Sequence, residues 1–188
     1  MEFRLTYRGN LPPNGSPEEK AQLRRAFHVQ LRKLWEQQPL RGLVDGSLLR
    51  VEPKYENEDG ATFVRKGEFL FLPLVSSRRF LVAQLSILFL RPQQPGLLVG
   101  HSGDLDNRIK TLLDALAIPQ GIQDLPTGSS PGPDETPYYC LLEDDALITA
   151  FSVEADRFLD PKREEEVLLV IQVRVTATRK SFQNIDII

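Results

Sequence analysis

The chain is poor in the residues that build soft-metal and covalent sites. It holds one cysteine, Cys140, among 188 residues, so no intramolecular disulfide can form and no cysteine-based zinc site is expected. Its two histidines, His28 and His101, leave little material for a histidine-rich site. A metal would have to be held by oxygen, which favours magnesium or manganese over zinc. Long apolar runs are scarce as well. The stretch FLVAQLSILFL (80–90) contains Gln84 and Ser86 and is far too short to span a bilayer. The N-terminus, MEFRLTYRGNLPPNG, lacks the basic start and apolar core of a signal peptide, so a reducing cytoplasm is the expected location, with no membrane partner. Positive charge is not in excess either. The net charge of −3 gives no global pull toward nucleic acid or anionic membrane. There is no internal repeat.

What is present suits a globular protein. Hydrophobic residues make up 41% and charged residues 26%, enough for one domain over 1–188 with a buried core. EFRLTYRG (2–9) alternates as a half-buried strand. Ser16, Pro17 and Glu19 then supply a cap, a proline at the first helical position and a capping-box glutamate. The helix they start is expected to reach about Gln37, with Leu23, Phe27, Leu31, Leu34 and Trp35 on one face and Arg24, Arg25, Arg32 and Lys33 mostly elsewhere.

Residues 48–56 and 61–75 read as strands joined across the turn NEDG, with Pro73 marking an edge or a bulge. Residues 78–92 read as a central strand, apolar on both faces. IPQGIQDLPTGSSPGPDETP (118–137) reads as a long, mobile loop insertion. Strands follow on either side of the acidic corner LLEDDALI, and a last strand covers 164–180. The tail SFQNIDII is apolar enough to dock on something, a partner subunit being one candidate. Strands cluster more than they alternate with helices. The expected fold is α+β: a mixed, mostly antiparallel sheet with two main helices on one side.

The chemistry concentrates in GDLDNRIKTLLDAL (103–116). With Asn107–Ala117 helical, Ile109, Leu112, Leu113 and Leu116 form a buried stripe, and Asp106, Lys110 and Asp114 line another face at four-residue spacing. One reading is an acidic cap followed by a charged ladder, each pair adding only ~0.2–0.5 kcal/mol. The other takes residues 103–106 as extended, so that Asp104 and Asp106 point the same way. Two such carboxylates can share hard divalent ions, with a third acid from the corner Glu143, Asp144 and Asp145. That combination suits phosphoryl chemistry, with Lys110 offsetting charge on the phosphate.

DLDNRIKTLLDAL followed by EDDALI resembles the RusA family of Holliday junction resolvases. Its pattern of D-x-D-N, a lysine four residues later, D-A-L on the same helix and a D-D-A corner is present here in order. The resemblance implies a RusA-like α+β fold and a homodimeric, magnesium- or manganese-dependent endonuclease. Its substrate would be branched DNA, in recombination and repair, with no organic cofactor. It also implies that Asp104, Asp106 and Asp145 bind metal, that Lys110 is catalytic, and that Asp144 belongs to the acidic set with a less defined role. The chain departs from the pattern by about twenty extra residues between Asp114 and Asp145.

Candidate phosphate contacts are Arg108, Lys110, Arg78 and Arg79, with Arg65 and Lys66 beside them. A solvated basic face is the alternative for each. The runner-up reading for the whole chain is a non-catalytic RusA-like dimeric binding or scaffold protein.

Overall fold

The computed structural model describes residues 1–45, 63–93, 105–181, 184, 185 and 187. The strand expected over 48–56, the NEDG turn, His101 and Asp104 lie outside the described residues. The fold is α+β. Ten elements follow one another: β1 (Glu2–Asn10), α1 (Pro17–Trp35), α2 (Leu40–Asp45), β2 (Val64–Lys66), β3 (Phe69–Val75), β4 (Leu81–Arg91), α3 (Leu105–Leu116), β5 (Tyr138–Leu142), β6 (Ile148–Arg157) and β7 (Glu166–Ala177).

The strands form two sheets rather than one. A four-stranded sheet has the order β1-β7-β4-β6, and a three-stranded sheet has the order β2-β3-β5. Three of the five pairings are antiparallel; β4–β6 and β3–β5 are parallel. β4 is interior, as its two apolar faces suggest. Leu81, Ala83, Leu85, Ile87 and Phe89 of β4 face the core, as do Val167, Leu169, Ile171, Val173 and Val175 of β7. The stretch 61–75 breaks at Gly67, whose φ of 55° reverses the chain between β2 and β3. Pro73 is tolerated inside β3 because the ladder to β2 covers only Phe69–Phe71.

α1 begins as its sequence prescribes. Ser16 Oγ accepts from the Glu19 N–H and Glu19 Oε2 accepts from the Ser16 N–H, a reciprocal cap worth about 1 kcal/mol. Leu23, Phe27, Leu31 and Trp35 are buried on its inner face, each worth roughly 1.5–3 kcal/mol in transfer free energy. Through that face α1 packs on β1, α3 and β5 and spans the two sheets.

One expectation needs correction. Arg24 is not on the outer face: it is 4% exposed and donates from Nε to the Ala117 carbonyl and from Nη2 to the Asp114 carbonyl. The tail docks, and two of its described residues do so on this chain. Asn184 Nδ2 donates to the Arg79 and Arg179 carbonyls, and Ile187 joins the main core. Among the described residues no helix is long and apolar enough to cross a membrane.

Candidate active site

α3 carries the central motif. Asp106 lies in its first turn, Asp106 and Lys110 are exposed, and Asp114 is half-buried on the same face. The buried stripe is Ile109, Leu112 and Leu116, joined by Thr111 and Ala115. Asp106 lies within α3 and is helical, whereas the metal-site reading took residues 103–106 as extended.

The other end of α3 is fastened to the second acidic segment. Ala117 bridges Leu142 in parallel, and the Ile118 N–H donates to the Leu142 carbonyl at 3.0 Å. Lys20 Nζ pairs with Asp114 at 2.8 Å. The acidic corner follows directly. Glu143 Oε2 accepts from both the N–H and the hydroxyl of Ser77 at 2.9 Å. Asp144 caps the single 3-10 turn Asp145–Leu147, accepting from the Ala146 N–H at 2.8 Å and from Gln120 Nε2 at 3.0 Å. Gln120 first, and then the Ala146 N–H, hold its carboxyl below the usual range. Asp145 moves the other way. Partial burial, then the neighbouring Asp144, then Asp114 raise its pKa.

Asp145 shares a cleft with Asp114, at the C-terminal end of α3. Asp106 lies eight residues before Asp114, about 12 Å along the helix axis. A hard cation takes its oxygens at about 2.0–2.6 Å, so Asp106 and Asp114 do not hold one ion together. Both carboxylate oxygens of Asp144 are engaged by the cap and by Gln120. Among the described residues, no three His, Cys, Asp or Glu side chains converge on a point where a metal would sit. The donor chemistry still suits a hard cation. Every candidate is a carboxylate, and the charge of Asp144 and Asp114, which adds to burial in raising Asp145, is negative charge a cation would relieve.

A cleft of about 280 Å³ opens at the C-terminal end, lined in part by Lys20, Arg24, Asp114, Gln120, Asp124 and Asp145. Lys20 and Gln120 were not legible as site residues, because neither belongs to a spacing motif. Only the fold brings them beside the acids.

The expected phosphate contacts fare unequally. Arg79 is 4% exposed, with its guanidinium carbon 5.2 Å from the Trp35 ring centroid and Nη1 donating to the Leu74 carbonyl. Burial pushes its pKa down to about 10, against the opposing pull of Glu143. It therefore presents no cation at the surface and is withdrawn as a phosphate contact. Arg78 is half-buried. Arg108 is half-buried and donates from Nη1 to the Leu11 carbonyl. Lys66 Nζ donates to the Gln120 carbonyl at 3.1 Å.

The 118–137 segment is anchored rather than loose. Arg25 pairs with Glu135 at 2.8 Å and Arg32 with Asp134 at 3.2 Å. His28, buried on α1, accepts at Nδ1 from the Tyr139 N–H at 2.9 Å, which leaves the proton on Nε2 to donate to the Asp134 carbonyl at 3.1 Å. Burial holds this imidazole below its ordinary pKa.

Comparisons with family models, with curated proteins and with solved structures give no match.

Proposed function

We propose that the protein is a divalent-metal-dependent, structure-selective endonuclease of RusA type, hydrolysing phosphodiester bonds in branched DNA as a homodimer. The observation that carries this reading is the N-terminal half of α3. Asp106 and Lys110 stand exposed one turn apart on one face, while Asp114 and Asp144 of the same motif are tied to Lys20 and Gln120. A carboxylate and an ammonium left in water at that spacing suit an electrophilic phosphate centre.

Asp106, together with Asp104, would hold magnesium or manganese. The bound ion would supply Lewis acidity and a water acidified toward neutrality. Lys110 brings a mobile point charge on a long stem to the phosphate oxygens and offsets the charge that develops there. Asp145, in the cleft with Asp114 at the C-terminal end of α3, adds to the negative potential there. A twofold dimer suits a symmetric junction, because two equivalent sites meet two equivalent strands.

A second reading, a non-catalytic dimeric module that binds branched DNA, draws on the engagement of both Asp144 oxygens by the cap and Gln120. The two part in one assay. Labelled four-way junctions, linear duplex and single strands are incubated with the full chain and magnesium, manganese or EDTA. Paired symmetric nicks in the junction alone, absent with EDTA and in Asp106→Asn, are the expected result. Junction binding without cleavage under every metal condition supports the module instead, and no binding at low salt sinks both.

A further inference from the structure

The four-stranded sheet has two edges, and the fold treats them differently. β1 forms one edge, and α1 blocks its middle: Gln30 Oε1 accepts from the Thr6 N–H at 2.9 Å and Gln30 Nε2 donates to the Thr6 carbonyl at 2.8 Å. A side-chain amide thus takes the place of a neighbouring strand. β6 forms the other edge over ten residues. Among the described residues it pairs with β4 alone, and no side chain of another element bonds to its backbone. Its first six residues, ITAFSV, hold no charge, proline or glycine, so they lack the devices that keep edge strands apart.

The apolar face of the sheet also runs past its cover at β6. Phe151, Val153 and Ala155 lie beside Leu85, Ile87 and Phe89 of β4, on the core-facing side. The three β4 residues are buried, Val153 and Ala155 are half-buried, and Phe151 is 56% exposed. A second copy of the chain fits this strand by its own sequence. A twofold axis perpendicular to the sheet pairs residues of equal parity in antiparallel register, with matching faces. With the axis at Ser152, Phe151 meets the partner's Val153 twice over, Thr149 meets the partner's Ala155, and Glu154 meets the partner's Ala150. Axes at Glu154 or Asp156 set an acid against itself, and one at Ala155 sets Glu154 against the partner's Asp156, so like charges exclude the registers farther along. The blocked β1 edge then limits growth. A sheet with one open edge pairs once and closes at two copies instead of extending into a filament.

We propose that β6 is the dimerisation edge of this protein, joining two copies by antiparallel β6–β6 pairing about Ser152 into one continuous sheet. The purpose of the dimer, two sites facing a symmetric junction, rests on the nuclease reading above. The pairing itself rests on the open β6 edge, the blocked β1 edge and the uncovered Phe151.

The test uses the full chain without DNA, so its failure is distinct from that of the nuclease reading. Sedimentation velocity over a concentration series follows wild type and Phe151→Glu, with circular dichroism to verify folding. Wild type should be a dimer. Phe151→Glu should associate at least about tenfold more weakly, because it sets a carboxylate against the partner's Val153. In a second arm, Ser152→Cys, which meets its own copy at the axis, should form a covalent dimer on mild oxidation, and Arg4→Cys on the blocked edge should not. The native Cys140 is 2% exposed and stays out of this chemistry. The crosslink carries the test if Phe151→Glu does not fold. A wild type that stays monomeric at every concentration would overturn the proposal and leave the edge to a foreign strand. A dimer that Phe151→Glu leaves unchanged and that Ser152→Cys does not crosslink would overturn it as well.

Discussion

The two ends of α3 carry similar charges and use them in opposite ways. At the C-terminal end most charges have local work, Asp145 excepted. Lys20 pairs with Asp114, Arg24 caps the Asp114 and Ala117 carbonyls, and Asp144 holds a turn and Gln120. At the N-terminal end Asp106 and Lys110 stand in water. Acidic residues close in sequence are therefore not one functional group. Those whose oxygens already accept protein hydrogen bonds stabilise the fold, and those left open are available for a ligand.

The sharpest way to break this division is to neutralise one acid at each end. Asp106→Asn should lower junction cleavage by about 10³-fold, on the order of 4 kcal/mol in the barrier, with stability unchanged. Asp145→Asn should lose far less activity and change stability by no more than about 0.5 kcal/mol. Equal losses of activity would erase the distinction between the two ends. Next comes Arg24→Met, which leaves the Asp114 and Ala117 carbonyls without their buried donor. Urea unfolding should show about 2–3 kcal/mol of destabilisation.

His28, which pins the 118–137 segment feeding the C-terminal end, gives a pH signature. Burial lowers its folded pKa below the ordinary value of 6.5, so the unfolded chain takes up the proton more readily. Stability from this group is then complete above the unfolded pKa and lost as pH falls below it. The urea midpoint should be level above about pH 7 and decline at lower pH, with a flatter profile in His28→Phe. The smallest effect belongs to Lys20→Gln. The pair it breaks is partly solvated at 26% and 31% side-chain exposure, and the cost should stay under about 1 kcal/mol by the same unfolding measurement.

Local rules made much of this molecule legible. Ser16, Pro17 and Glu19 announced α1, and the four-residue recurrence of Leu23, Phe27 and Leu31 its inner face. The alternation of Val167 through Val175 announced β7. The Asp106–Lys110–Asp114 face was readable from helical spacing alone. The buried basic residues were not. Arg24 and Arg79 read as surface by residue type, and what buries them comes from elsewhere in the chain: two carbonyls at the end of α3 and the Trp35 ring. The strand order β1-β7-β4-β6 was equally hidden, since it joins residues more than 160 positions apart. Asp145 reads with Asp104 and Asp106 by family pattern, but the parallel bridge between Ala117 and Leu142 sets it beside Asp114.

The most direct measurement is manganese binding to the full chain, followed by the loss of the free-ion paramagnetic resonance signal in wild type, Asp106→Asn and Asp145→Asn. The account predicts that wild type and Asp145→Asn take up manganese and that Asp106→Asn does not. Undiminished binding by Asp106→Asn, or uptake lost only in Asp145→Asn, would contradict it.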